Sequence, residues 1–284
     1  MKSVTCLSLF LVIASILSGC VPAGSTPLLT QVETPVPSPT TISPTSTFMS
    51  TVTVMPTLSA TLEPEQAKET IRTLLQDSVD CEAPCFWGIL PGKTTLEEVT
   101  NAFTHLGLSL KYTTTLDGKD FYAVNYNLDN GIEISPVIAI QNNIVKSLDV
   151  GINDTSQAGS PRKWSAYSPE TLIKRYGPPS NVDFFLGRVA PVPTHSMDLY
   201  FEDVNLIVEY IGGSLLNDGP QLEICPLTNQ VEHVHIWMGD DPQYPPSPGV
   251  QLEEATSLTI EEFSNLMMGN PYNACFNLKE EIFP

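Results

Sequence analysis

From residue 63 onward, apolar positions recur with helical or strand periods, and turn signals bound each run. Residues 63–77 place Ala67, Ile71, Leu74 and Leu75 at spacings that share one helix face. Pro64 sits in the first turn, and Glu63 and Glu65 lie at its positive end. A second helix is predicted from Thr94 or Thr95, with Glu97 or Glu98 three residues on as in a capping box. Leu96, Val99, Phe103 and Leu106 form its apolar face, and Gly107 stops it. After Gly107 the pattern changes to β-branched and aromatic runs at 108–115, 120–126, 132–140 and 144–152. Asp117-Gly118, Asn130-Gly131 and Asn142-Asn143 separate them, which predicts a four-strand meander.

After a polar loop with Gly159, Ser160 and Pro161, the pattern restarts. Ser168 caps a third helix with Pro169 as its first residue; Gly177 ends it, and Pro178 and Pro179 forbid continuation. Strands are predicted at 182–186, 196–201, 205–210 and 231–238, with loops at 187–194 and 212–219 and a Pro-rich connector at 240–249. A short helix follows at 259–268, ended by Gly269-Asn270-Pro271. A capped helix leading into strands thus starts near Thr94 and again near Ser168, about 74 residues later. The predicted class is α+β, with antiparallel sheet and short helices packed on one face, arranged as two tandem helix-plus-meander repeats over 63–160 and 161–284.

The amino terminus changes the picture. Lys2 precedes an apolar run at 7–17, and Leu17-Ser18-Gly19-Cys20 closes it. This reads as a signal peptide over 1–19, too short and wrongly flanked to span a bilayer. Its end resembles the bacterial lipobox, which implies lipidation of Cys20, with palmitate among the acyl chains, and anchoring to a membrane. Within 21–62, Ser, Thr and Pro supply 24 of 42 residues and Glu33 is the sole charge, so 20–62 is expected to be a disordered spacer behind the lipidated cysteine. The expected location is extracytoplasmic, on the cell membrane or surface. The net charge of −19 falls entirely on the part after residue 62, which repels phosphate backbones and argues against nucleic-acid partners.

The stretch Gly88-Ile89-Leu90-Pro91-Gly92-Lys93-Thr94-Thr95-Leu96-Glu97-Glu98-Val99, with its later Leu106-Gly107, resembles the helix motif of the small outer-membrane lipoprotein family that includes BamE, and of the β-lactamase-inhibitor-like fold. That resemblance implies helices on one face of an antiparallel sheet, singly or in tandem. More broadly, the segments 81–89, 167–180 and 253–276 are similar to surface lipoproteins of Chloroflexi-type bacteria, a resemblance that implies no activity.

Candidate chemistry is sparse. Residues 88–94 look like a phosphate loop, but the glycine spacing is one residue short and Pro91 removes an amide that would face the phosphate. Cys81, Cys85, Cys225 and Cys275 are an even set in an exported domain and are read as disulfide candidates, with Cys81–Cys85 and Cys225–Cys275 favoured among three pairings. A zinc site using cysteines with His233 or His235 is the competing reading. The two histidines share one strand face, expected to be the solvated one. Trp87 is expected to bury its ring under the second helix. The acidic doublets at 240–241, 253–254, 261–262 and 280–281 suit an acidic chain, and the helical one at 261–262 suits a helix N-terminus. No catalytic residue, metal or cofactor is assigned. The expected function is a binding or scaffolding domain of the cell envelope whose partner is another envelope protein or polymer. An exported hydrolase or enzyme inhibitor is the alternative, and a solute- or metal-binding lipoprotein comes third.

Overall fold

The computed structural model describes residues 60–77, 84–129, 131–155, 164–187, 194–213, 215–216, 221–225, 231–240, 245–246, 248–269 and 274–283, which fall within the compact unit Met55–Pro284. The signal peptide, Cys20, nearly all of the spacer and Cys81 lie outside the described residues.

The helices form where capping and apolar spacing agree. α1 (Pro64–Gln76) buries Ala67, Ile71 and Leu75 and carries Glu65–Lys68 and Glu69–Arg72 ion pairs of 2.7 and 2.9 Å on its outer side. α2 (Leu96–His105) starts on a complete capping box. The Glu98 N–H donates to Thr95 Oγ1 at 3.2 Å, and the Thr95 N–H donates to Glu98 Oε2 at 2.8 Å. α3 (Pro169–Tyr176) is capped by Ser168, whose hydroxyl accepts from the Thr171 N–H at 3.3 Å, and Gly177 ends it at φ +85°. A four-residue helix, α4 (Leu252–Ala255), precedes α5 (Ile260–Gly269), where Thr259 and Glu262 repeat the reciprocal box.

The large antiparallel sheet contains β1 (Lys111–Leu116), β2 (Lys119–Ala123), β3 (Tyr126–Asp129), β4 (Ile132–Gln141), β5 (Ile144–Asp154), β6 (Asn181–Gly187), β7 (Thr194–Phe201), β8 (Leu206–Gly213), β11 (Val231–Gly239) and β12 (Val250–Gln251). Its order is β1-β2-β4-β5-β11-β8-β7-β6-β12, with β3 also paired to β4. α2 is followed by strands that walk from one rim to the centre at β5, and α3 by strands that walk from near the other rim to the centre at β11. β5 and β11 meet antiparallel. The sequence predicts one strand at 120–126; β2 and β3 replace it, and the break lies opposite Ser135 and Pro136, the latter lacking an N–H for a ladder. Type I′-like turns place Asp117 and Gly118 at φ +50° and +73°, and Asn142 and Asn143 at +53° and +64°.

The alternation of each strand sends one set of side chains to a common core. Ile134, Ile138, Leu148, Val150, Phe184, Leu199, Val208 and Ile236 are buried in one cluster with Ile71, Val99, Phe103, Leu172 and Phe263 of the helices. Tyr210 joins it and donates its hydroxyl to the Tyr167 carbonyl at 2.7 Å. A small second sheet, β9 (Leu215–Leu216), β10 (Gln221–Ile224) and β13 (Phe276–Lys279), packs Phe276 against the rings of Phe184 and Phe263 at 5.5 and 6.0 Å. The predicted loop over 212–219 is thus corrected in part, since Gly212 and Gly213 belong to β8 and Leu215 and Leu216 to β9. A disulfide joins Cys225 to Cys275 with Cα atoms 4.2 Å apart and ties β10 to β13. Cys85 is also disulfide-bonded. No helix among the described residues is long and apolar enough to cross a membrane.

Candidate functional site

The strand residues that alternate with the core set carry most of the buried polar chemistry. In β7 the core takes Met197, Leu199 and Phe201, so Ser196, Asp198 and Tyr200 point to the other face. The cross-strand register then brings residues from five strands into one line. Asp183 of β6 pairs with Asp198, Asp198 with Glu209 of β8, Glu209 with His235 of β11, and His235 with Gly151 of β5. The neighbouring line holds Asn181, Tyr200, Ile207, Trp237 and Asp149. Asp198 is only 1 % exposed, and its Oδ1 is buried without a hydrogen-bond partner.

Many of these polar groups are paired with one another. His235 Nε2 hydrogen-bonds Asp149 Oδ1, and its Nδ1 lies 4.0 Å from Glu209 Oε2. His233 Nδ1 is 2.6 Å from Asn153 Oδ1, and the Asn181 amide donates to Asp183 at 2.8 Å. The His235 ring rests 4.0 Å from that of Trp237. The expectation of plain solvated histidines is therefore corrected. Both are half-buried because the facing strands set Asn153, Asp149 and Glu209 against them, a long-range register that no local spacing displays. Burial and the neighbouring His235 push His233 down. Burial pushes the Asp198 carboxyl up to about 8, with the charges of Glu209 and Asp183 adding to the effect. Burial also raises Glu209, against the opposing pull of His235 and a Ser196 hydrogen bond. Tyr200 is raised by burial and by its acidic neighbours. On the core side of β7, burial drives His195 down to about 4.

A cleft of about 360 Å³ opens at the end of this face. Tyr200, Ile207 and the buried Trp237 line its deeper part, while the exposed Glu202, Asn205 and Asp240 line its mouth. Asn205 takes the left-handed conformation at φ +51°, and its amide donates to Asp240 Oδ1 at 3.2 Å. An adjoining hollow of about 270 Å³ shares Asn205 and Asp240 and adds Asp203, Lys146 and Pro91.

Pro91 belongs to the stretch that looked like a phosphate loop, which the structure makes a junction. Phe86 and Ile89 exchange backbone hydrogen bonds around Trp87 and Gly88, both at positive φ. Gly92 donates to the Val145 carbonyl at 2.7 Å, and Val145 donates to that of Thr94 at 2.9 Å. Trp87 is half-buried, stacked on Phe86 at 4.4 Å and 6.0 Å from Phe103 of α2, so only part of its ring is covered.

Of the sequence-derived site residues, Cys225 and Cys275 meet in a disulfide, whereas Cys20 and Cys81 lie outside the described residues. His235 sits on the line of Asp183, Asp198 and Glu209, and His233, two residues before it, faces Asn153. Among the described residues no group of three or more His, Cys, Asp or Glu is arranged to hold a metal ion. Asp183, Asp198 and Glu209 carry no motif. Their only trace in the sequence is parity, each acid occupying the polar phase of an alternating strand. Comparison with protein-family models, with curated proteins and with solved structures found no match.

Proposed function

We propose that the protein is an extracytoplasmic lipoprotein, anchored to the membrane through Cys20, whose folded part is a binding or scaffolding domain of the cell envelope. The same reading places it with the surface lipoproteins it resembles. One observation carries the binding role: the cleft beside Trp237 has an aromatic and aliphatic floor with an acidic mouth, while nearby acid and base side chains are engaged with one another. Such a site holds an apolar group and favours positive charge around it. The expected partner is an envelope protein or polymer that presents both.

The test is recovery of cross-linked partners by the full-length lipoprotein from envelope membranes. Ile207→Glu combined with Asp240→Lys should reduce recovery of the principal partner at least about tenfold, the scale of losing one interface anchor, while the thermal unfolding midpoint stays put. Undiminished recovery removes the cleft from the proposal. The hydrolase reading keeps one supporting observation, the raised carboxyl of Asp198 beside Glu209. Turnover in a substrate screen that Asp198→Asn abolishes would replace the binding role with it.

A further inference from the structure

Like charges set directly opposite one another in an antiparallel ladder repel, yet Asp183, Asp198 and Glu209 occupy a single register line on three neighbouring strands. Among the described residues no lysine or arginine forms an ion pair with these three. The groups around the line are known from every strand packed against it. The Asn181 amide serves Asp183, and the Ser196 hydroxyl serves Glu209. His235 approaches Glu209 from β11 with Asp149 of β5 behind it, while Tyr200 and His233 flank the line. Gln251 of β12 faces Asp183. Asp198, in the middle, is the most deeply buried of the three and has an oxygen with no partner. Three adjacent carboxyls in such a place are compatible with the fold only if a proton remains among them.

We infer that this line is a proton-dependent latch: Asp198 keeps its proton in the folded protein, and releasing it sets three carboxylates side by side on β6, β7 and β8 and loosens that side of the sheet. The direction of the effect follows from linkage. Asp198 is raised from an ordinary 3.8 to about 8, so the folded chain holds a proton that the unfolded chain gives up. The stabilisation is complete below the ordinary value and is lost as pH climbs through about 8. The latch does not depend on the identity of any partner.

Thermal unfolding and amide hydrogen exchange of the full-length protein between about pH 5 and 9 test it. The wild-type midpoint should fall steadily from about pH 5 to about 8 and level off above it. Amides of β6, β7 and β8 should open about tenfold more often, after correction for base-catalysed exchange, while those of β4 hold. Asp198→Asn should abolish both changes, and infrared difference spectra should lose one protonated-carboxyl band that bleaches near the top of the range. Glu209→Gln, which removes one repelling charge and keeps Asp198, should move the transition to lower pH, and it carries the test if Asp198→Asn does not fold. A wild-type profile that is flat between about pH 5 and 8, an Asp198→Asn profile identical to wild type, or an unmoved transition in Glu209→Gln each overturns the latch.

Discussion

The two strand runs of the large sheet share an order and differ in what they carry. β1, β2, β4 and β5 follow α2 from rim to centre, and β6, β7, β8 and β11 follow α3 toward the same centre. At the first rim, every residue of β1 is exposed, and threonines at 113–115 cover it. At the second rim, β12 pairs with β6, and α4 packs beside it. On the non-core face β2 and β4 of the first run offer Phe121, Val137 and Ala139, whereas the second run offers Asp183, Asp198, Glu209 and His235, which meet Asp149 and Asn153 of β5 at the seam. The difference teaches that a shared topology fixes where side chains can go and leaves their chemistry open. Here the polar chemistry gathered on the second run and on β5 beside it, next to the cleft.

Three changes probe that contrast, in descending order of effect. Removing the disulfide with Cys225→Ser and Cys275→Ser should cost about 4 kcal/mol for a cross-link spanning 50 residues. Urea unfolding measures the loss, and hydrogen exchange should place it in β10, β13 and the second run; equal loss of protection in β4 would make the two runs one cooperative unit. Gly239→Ala comes next, at about 3 kcal/mol. Gly239 has φ +89°, and a Cβ there would stand 2.3 Å from the Lys146 carbonyl oxygen and 2.6 Å from Pro91 Cβ, so the strain falls on the meeting point of both runs and the junction. A variant that melts with wild type would show that this contact yields freely. The smallest effect separates the two helix starts. Thr95→Ala should cost about 1.5 kcal/mol and Ser168→Ala about 0.7 kcal/mol, because Glu98 completes the box at Thr95 and Ser168 acts without such a return bond. Equal melting shifts would mean that the reciprocal arm contributes nothing.

What could be read in the sequence was local. Thr95 with Glu98, Ser168 with Pro169 and Gly177, and the turns at Asp117-Gly118 and Asn142-Asn143 each write their geometry within a few residues. The small sheet could not be read this way. β10 pairs Gln221 with Lys279 at a distance no periodicity spans, and β9 and β12 are two residues each. α4 is a single turn, below the length at which a helical period appears. The site was half legible. Alternation in Ser196-Met197-Asp198-Leu199-Tyr200 assigns Asp198 to the polar face, but only the register among four strands reveals that Asp183, Glu209 and His235 stand beside it. Reading His233 and His235 as solvated failed for the same reason.

The seam between β5 and β11 bears on how the chain reaches this fold. Its contacts join residues 80 apart at His233 and Asn153 and 86 apart at His235 and Asp149, while β4 and β5 close over the two-residue turn at Asn142 and Asn143. Loop-closure entropy makes such a seam the last large element to zip, after each run has formed its own hairpins. Until it closes, two nearly finished pieces expose unpaired central strands, each matched to the other piece's edge. In a crowded assembly the β5 edge of one molecule can accept the β11 of a second, so exchange across the seam is the misassembly to watch for when this chain is produced at high concentration.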